Sequence, residues 1–335
     1  MRIITCASYY GSGSSAVTDL ISESSEVFSL GEYEYRFLQD PNGISDLEYN
    51  IVDNNHRHNT SNAIKEYLKY VKSLHSFGYA NTYKIFGEEF DRATKEFIDS
   101  IVQLQTKTWW HKDRIDKGKI FCLVDRVYSL LNRIMKGQLH SESKYSILQH
   151  TEVGYFTAIS RDEFLNSVRR YIDRIFNYVN KEKKSFVMVD QMVPPTNTNR
   201  YVRYFNDVKI IVVDRDPRDI YLSEKKIWRW GVIPYKDVRE FCEWYKITRY
   251  YSNDEEDSEL VLRIRFEDLI YAYEATRKKI LDFVGLDNAF IQNKGCVFNP
   301  NKSIKNTNLK IKFPEEKENI KYIEKELKEY LYDFK

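Results

Sequence analysis

Cysteine, proline and glycine are scarce in this 335-residue chain, at 4, 7 and 12 residues. The four cysteines (Cys6, Cys122, Cys242, Cys296) lie far apart with no Cys-x-x-Cys pair. That excludes a disulfide framework and predicts buried, reduced thiols in a cytoplasmic protein. So few prolines and glycines leave little chain for long linkers. Long apolar runs are missing too: no stretch approaches 18 consecutive apolar residues, so no membrane span is expected. The apolar start, Met1-Arg2-Ile3-Ile4-Thr5-Cys6, stops at Ser8-Tyr9-Tyr10-Gly11. It is too short for the apolar core of a signal peptide and reads as the first strand of the fold. Nor does charge of one sign dominate. Lys and Arg number 52 against 50 Asp and Glu, so no global field gathers nucleic acid or an anionic membrane. Six scattered histidines give no Ser-His-Asp order, and His56-Arg57-His58 lacks the Cys or carboxylate spacing of a metal site.

What is present suits a folded enzyme-sized chain. Apolar residues make up 42% and charged residues 30%, enough for a sizeable core and too apolar for disorder. Two regions carry short continuous apolar runs of the kind buried in parallel sheets. The first, residues 1–30, has a strand at Ile3-Ile4-Thr5-Cys6, a Gly/Ser turn, a helix carrying Ala16, Val17, Leu20 and Ile21, and a short strand Val27-Phe28-Ser29-Leu30. The second, residues 185–310, has strands at Phe186–Val189, Lys209–Val213 and Leu260–Ile264. Strands alternating with helices predict an α/β fold, a P-loop-like parallel sheet flanked by helices. Between these regions, residues 31–184 repeat apolar positions at helical spacing, as in Phe164, Val168, Tyr171, Ile172, Ile175 and Val179. They predict a large, mainly helical insertion or lid within one single domain. A closing amphipathic helix is expected over about 315–333, with Ile320, Ile323, Leu327 and Leu331 on its apolar side.

The turn Ser8-Tyr9-Tyr10-Gly11-Ser12-Gly13-Ser14-Ser15-Ala16 is the first chemical signal. Small residues let the backbone curl so that successive N–H groups meet one anion, and a helix starting near Ser14 adds its positive end. Gly11, Ser12, Gly13, Ser14 and Ser15 are the candidate binders, the serines also supplying hydroxyls. A Walker loop would require lysine where Ser14 stands, so ATP or GTP hydrolysis is disfavoured. A second site follows the strand ending at Val213. Asp216-Pro217 forms a cap and first-turn pair for a new helix, Arg215 emerges at the strand's carboxyl end, and Ser223 lies two turns along. Two anion sites on one open sheet imply a ligand with two separated anionic groups.

This pair resembles the PAPS-dependent sulfotransferases, whose sulfuryl donor is 3′-phosphoadenosine 5′-phosphosulfate. In that family a Gly/Ser/Thr loop after the first strand cradles the 5′-phosphosulfate, and an Arg and a Ser eight residues later hold the 3′-phosphate; Arg215 and Ser223 have that spacing. Arg265-Phe266-Glu267-Asp268-Leu269, followed by Ile280-Leu281-Asp282-Phe283-Val284-Gly285-Leu286, is similar to the family's "EDL…FLGL" stretch. The resemblance covers residues 2–30 and about 185–310. One departure stands out: most members carry Lys or Arg where this chain has Gly11. Lys302, in Asn299-Pro300-Asn301-Lys302-Ser303, resembles the family's cofactor-covering loop and is a candidate replacement, with Ser303 beside it; Lys294, Arg36 and Arg200 are further options. Solvated surface cations are the plain alternative.

Sulfuryl transfer to a hydroxyl needs a base for the acceptor proton. Glu34-Tyr35-Arg36 is similar to the Glu-x-Arg of tyrosylprotein members, which makes Glu34 the first candidate and Glu32 the second. Asp190, at the end of Phe186–Val189, is the other; cytosolic small-molecule members place a histidine in that region and this chain has none there. Gln191 and Asn197 are candidates to bind acceptor hydroxyls. The resemblance implies a cytoplasmic enzyme that sulfates a hydroxyl, foremost of a carbohydrate or glycan, without a metal or nucleic-acid partner. A nucleotide-binding member without turnover and a divergent P-loop phosphotransferase are the alternatives.

Overall fold

In a computed structural model of the chain, the described residues are 1–76, 82–140, 142–252, 255–291 and 294–334. Seven strands occur among them: β1 (Arg2–Ser8), β2 (Val27–Glu34), β3 (Leu104–Lys107), β4 (Val153–Phe156), β5 (Phe186–Asp190), β6 (Val208–Asp214) and β7 (Val261–Arg265). Five of them make one sheet in the order β2-β5-β1-β6-β7, with every neighbouring pair parallel. This is the parallel α/β sheet that the apolar runs predict. Side chains alternate between its faces. Ile3, Val187, Val189, Ile210 and Val212 enter one core, and Ile4, Met188, Ile211 and Val213 enter the other. Both faces are covered, which is why these strands read as continuous apolar runs.

The first core also takes Tyr67, Phe90, Phe97, Phe164, Tyr171 and Phe176 from the helices Arg57–Ser76, Glu89–Ile101 and Arg161–Val179. The intervening region therefore packs directly on the sheet. It is mainly helical, as its periodicity predicts, with one correction: β3 and β4 pair as a small antiparallel ribbon. All four residues of β3 are exposed, so no apolar alternation announces it.

Other expected boundaries shift for local reasons. β2 does not stop at Leu30; it passes a bulge at Gly31 (φ +67°) and ends at Glu34, which pairs in register with Asp190. β7 starts at Val261 rather than at Leu260, which is exposed. The closing helix is shorter than 315–333. It spans Lys317–Glu326, followed by one 3₁₀ turn at Lys328–Tyr330, because the chain then leaves to dock on the sheet's edge. There Tyr332 donates its N–H to Asp216 Oδ2 (2.8 Å), and Arg218 Nη2 donates to Tyr332 O (2.8 Å). All four cysteines are free, but only Cys6 and Cys242 are buried; Cys296 is exposed and Cys122 half-buried. No described helix is long and apolar enough to cross a membrane.

In this order the chain crosses from β1 to β2 on one side and from β6 to β7 on the other, so the connections diverge between the neighbours β1 and β6. Ligands of open parallel sheets bind outside the carboxyl ends at such a point. The ends gathered here are Ser8, Glu34, Asp190 and Asp214.

Candidate functional site

A cavity of about 570 Å³ opens at this edge, within the size range of small-molecule sites. Its first wall is the loop after β1. Tyr10, Gly11 and Gly13 have φ of +61°, +63° and +97°. A bulky residue such as Tyr10 rarely adopts that conformation, and one held there lines the cavity. The glycines are required twice over: a Cβ on Gly11 would sit 2.6 Å from the Trp228 ring, and one on Gly13 would sit 2.4 Å from the Phe266 ring. The helix Ser14–Ser22 begins here with no side-chain cap and no acid in its first turn, and Ser14 and Ser15 line the cavity. The positive end of that helix is thereby presented to whatever binds. Ser12 corrects the expectation of a third hydroxyl donor. It is buried away from the cavity, its Oγ donating to Val213 O (2.6 Å) and accepting from Tyr9 N–H (3.1 Å). It braces the loop onto β6.

The opposite wall is built by the turn after β6. Asp216 caps the helix Pro217–Leu222 by accepting Arg218 N–H (2.8 Å), and Ser223 opens the wide turn that carries Trp228. Arg215 is buried between the two walls. Nη1 donates to Gly11 O (2.9 Å), and Nη2 donates to Ser223 Oγ (3.0 Å) and Asn306 O (2.5 Å), while Nε has no partner. Among the described residues no carboxylate lies within ion-pair distance of it, and burial lowers its pKa. Its guanidinium lies over the rings of Phe266 and Trp228 at 5.3 and 5.9 Å. A buried cation left with carbonyls and one hydroxyl has capacity for an anion.

The segment around Glu267 acts behind this wall. Glu267 Oε1 accepts the N–H of Asp216 (2.7 Å), and burial pushes its carboxyl up to about 7. Asp219, pushed up to about 6 mainly by burial, accepts the N–H groups of Asn308 and Leu309. Both carboxylates lock the Arg215 turn to the strand and to the C-terminal loop.

The floor is polar. Asp190 Oδ2 accepts from Ser14 Oγ (3.2 Å), and Gln191 Nε2 donates to Ser8 Oγ (2.5 Å) and Ser14 Oγ (3.0 Å). Asp190 Oδ1 is buried without a partner. Burial, reinforced by the charge of Glu34, pushes the Asp190 carboxyl up to about 7. Glu34 lines the cavity beside it and lies 3.6 Å from Arg36. The side chain of Glu32 lies outside the described residues.

Lys302 and Arg215 are the cations among the described residues lining this cavity. Lys302 stands on the short helix Pro300–Ser303, capped by Asn299, whose side chain accepts from Asn301 and Lys302 N–H. The other expected replacements for the loop cation lie elsewhere. Lys294 is held by Glu274 (2.7 Å), and Arg200 bonds Ser45 and Glu48. Arg36 bonds Asp40 and packs over Tyr10 outside the lining set. Asn197 likewise does not line the cavity; it precedes the helix Thr198–Tyr201 with φ +55°. Trp228, Trp230 and Phe266 also line the cavity; Trp228 and Trp230 are stacked at 5.7 Å. His56-Arg57-His58 forms no metal cluster among the described residues; His58 stacks on Trp110 at 3.5 Å.

The profile of a family described as the sulfotransferase family matches residues 11–290. No curated protein matches the chain. Among solved structures, the sulfotransferase domain from the Synechococcus PCC 7002 olefin synthase is 11% identical, with 90% of this chain and 77% of that chain covered and a TM-score of 0.39. The sulfotransferase domain from the curacin biosynthetic pathway is 12% identical, covering 85% and 74%, with a TM-score of 0.37. Retinol dehydratase, solved with androsterone and the inactive cofactor PAP, is 15% identical, covering 99% and 82%, with a TM-score of 0.35. These likenesses are distant.

Proposed function

We propose, since the chain belongs to the sulfotransferase family, that it moves a sulfuryl group from 3′-phosphoadenosine 5′-phosphosulfate to a carbohydrate hydroxyl in the cytoplasm. The observation that carries the donor assignment is Arg215: buried, free of any described carboxylate within ion-pair distance, with an unsatisfied Nε and Ser223 Oγ at 3.0 Å. It shares one cavity with the uncapped helix start at Ser14. Two positive sites in one cavity fit a ligand with two anionic groups. Arg215 and Ser223 would hold the 3′-phosphate, and the backbone from Gly13 to Ser15 the phosphosulfate, with Ser303 alongside.

The donor supplies the sulfuryl group: a new S–O bond forms to the acceptor oxygen as the S–O bond to the phosphate breaks. Glu34 takes the acceptor proton, with Asp190 and Glu32 as the other candidate bases. Lys302 meets the charge left on the phosphate, the role Gly11 cannot fill. Catalysis is then positioning and charge stabilisation, as in phosphoryl transfer. Trp230, largely exposed and stacked on Trp228, offers a flat apolar face to a sugar ring, which supports a carbohydrate acceptor. The four free thiols support a reducing compartment.

Calorimetric titration tests the reading. Adenosine 3′,5′-bisphosphate should bind more tightly than AMP or ATP, with no effect of added Mg²⁺. Arg215→Ala should remove the preference for the bisphosphate over AMP, a loss of about 1.5–3 kcal/mol for a charge-assisted bond. Equal losses for both ligands would sink the assignment of Arg215 to the 3′-phosphate. Tight, Mg²⁺-dependent ATP binding would instead support a phosphotransferase.

A further inference from the structure

The helix Gly118–Met135 is turned inside out. A surface helix ordinarily points its apolar stripe at the core and its charges at water. Here the residue that is fully buried is Asp125. It accepts from Arg114 Nη2 (2.6 Å), Ser146 Oγ (2.9 Å) and Ile147 N–H (2.8 Å). One turn on, Ser129 Oγ accepts from Tyr145 N–H (3.2 Å). The polar side of the helix thus faces the flanking segments at Arg114 and at Tyr145, Ser146 and Ile147. The apolar side faces away: Ile120, Leu123, Val127, Leu130, Leu131 and Ile134 are between 44% and 81% exposed. With Ile115 and Leu139 extending the stripe at its two ends, the exposed apolar area is on the order of 800 Å². That exceeds the largest patch of a typical monomer.

The charges say what covers it. Lys119, Arg126 and Arg133 recur every seven residues and form one basic row along an edge of the apolar stripe. A second copy lying antiparallel across the stripe would set this row against itself. A parallel copy would set it against Val124 and Leu131, which offer no counter-charge. A flat anionic surface satisfies both features, apolar side chains entering it and basic ones resting on its headgroups. We propose that this helix docks the protein onto the surface of an anionic lipid bilayer, lying in the interface without crossing it. Docking would present the enzyme at a lipid surface and is independent of the sulfuryl-transfer reading.

Cosedimentation of the full chain with vesicles tests this. Vesicles of equal parts phosphatidylglycerol and phosphatidylcholine should take up the protein at low salt and release it as salt rises, while pure phosphatidylcholine should take up far less. The variant Val127→Glu with Leu130→Glu should abolish uptake. Lys119→Gln with Arg126→Gln and Arg133→Gln should lower it by roughly 100-fold, since each basic residue near the surface contributes about five-fold. These side chains leave the buried anchor at Asp125 intact, and circular dichroism checks the fold. Should the apolar variant misfold, the charge variant decides. No uptake by anionic vesicles overturns the proposal. So does equal uptake by neutral ones with the charge variant unaffected. A dimer in sedimentation velocity that the apolar variant dissolves, without vesicle uptake, overturns it in favour of a second copy.

Discussion

Replacing Asp190 with asparagine should make the protein more stable at alkaline pH and leave it unchanged in acid. Asp190 is buried on the cavity floor, with one oxygen bonded to Ser14 and the other bonded to nothing. Burial first, and the Glu34 charge second, raise its pKa from 3.8 to about 7. Because the folded-state value is raised, the native protein holds this proton more tightly than the unfolded chain does. Stability from this group is therefore full below pH 3.8, declines as pH rises toward 7, and is flat above it. A shift of about three units corresponds to about 4 kcal/mol, the cost of ionising the carboxyl in place. Asparagine keeps the shape, and its amide suits the Ser14 hydroxyl, which rotates to accept. The assay is urea denaturation of parent and variant at intervals from pH 4 to pH 8.5, read as the difference in unfolding free energy. Taking the difference cancels Glu267 and Asp219, which carry raised values of their own. The difference should be near zero at pH 4 and favour the variant by up to about 4 kcal/mol at pH 8. A difference that stays flat across the range, or that favours the parent in alkali, would refute the reasoning.

Three further outcomes bear on the chemistry. Glu34→Gln should retain affinity for adenosine 3′,5′-bisphosphate and lower turnover by about 10²–10⁴, the worth of a positioned base; turnover within a few-fold of the parent moves that role to Asp190 or Glu32. Lys302→Ala should cost turnover more than nucleotide affinity, because it acts on charge that develops only as the S–O bond breaks; equal losses in both would make it a binding residue. Gly11→Lys should lower activity and stability together, by roughly 1–3 kcal/mol in thermal unfolding, since φ is +63° and the new Cβ would meet the Trp228 ring at 2.6 Å. A gain in sulfuryl transfer from Gly11→Lys, with Lys302→Ala silent, would mean that the chain lacks its cation and is an idle member.

How far the sequence could be read depended on whether a residue's role is local. The strands were legible because a sheet covered on both faces demands unbroken apolar runs, as at Lys209–Val213. The turn before Ser14 and the Arg215–Ser223 spacing were legible because backbone curvature and helix capping act over a few residues. Ser12 was not: a serine in a Gly/Ser loop can face a ligand or the body, and only β6 alongside, through Val213 O, decides it. Nor were Trp228 and Phe266, whose aromatic character is the same whether they fill a core or floor a cavity. Lys294 and Lys302 stand eight residues apart with equal charge, yet Glu274 takes the first and the capped turn at Asn299 delivers the second to the cavity. β2 misled for a different reason. The apolar run ends at Leu30, and the bend at Gly31 hides the continuation to Glu34, which only pairing with Asp190 reveals.

The substitution at Gly11 becomes intelligible when these long-range contacts are taken together. Arg215 Nη1 donates to the carbonyl of Gly11, and the Trp228 ring fills the space where a side chain on Gly11 would begin. The loop after β1 and the turn after β6 are thus one interlocked unit, closed by an arginine and sealed by an indole. A lysine at position 11 would have to displace that indole before reaching any phosphate. In the proposed function the C-terminal loop supplies the charge from a side the indole leaves open. Asn306 O accepts from Arg215, Asp219 holds the N–H groups of Asn308 and Leu309, and Lys302 lies on the same stretch of chain. Under the proposed function, tight packing around Gly11 and a braced C-terminal loop carrying Lys302 belong to one arrangement, in which the positive charge for the phosphate comes from that loop.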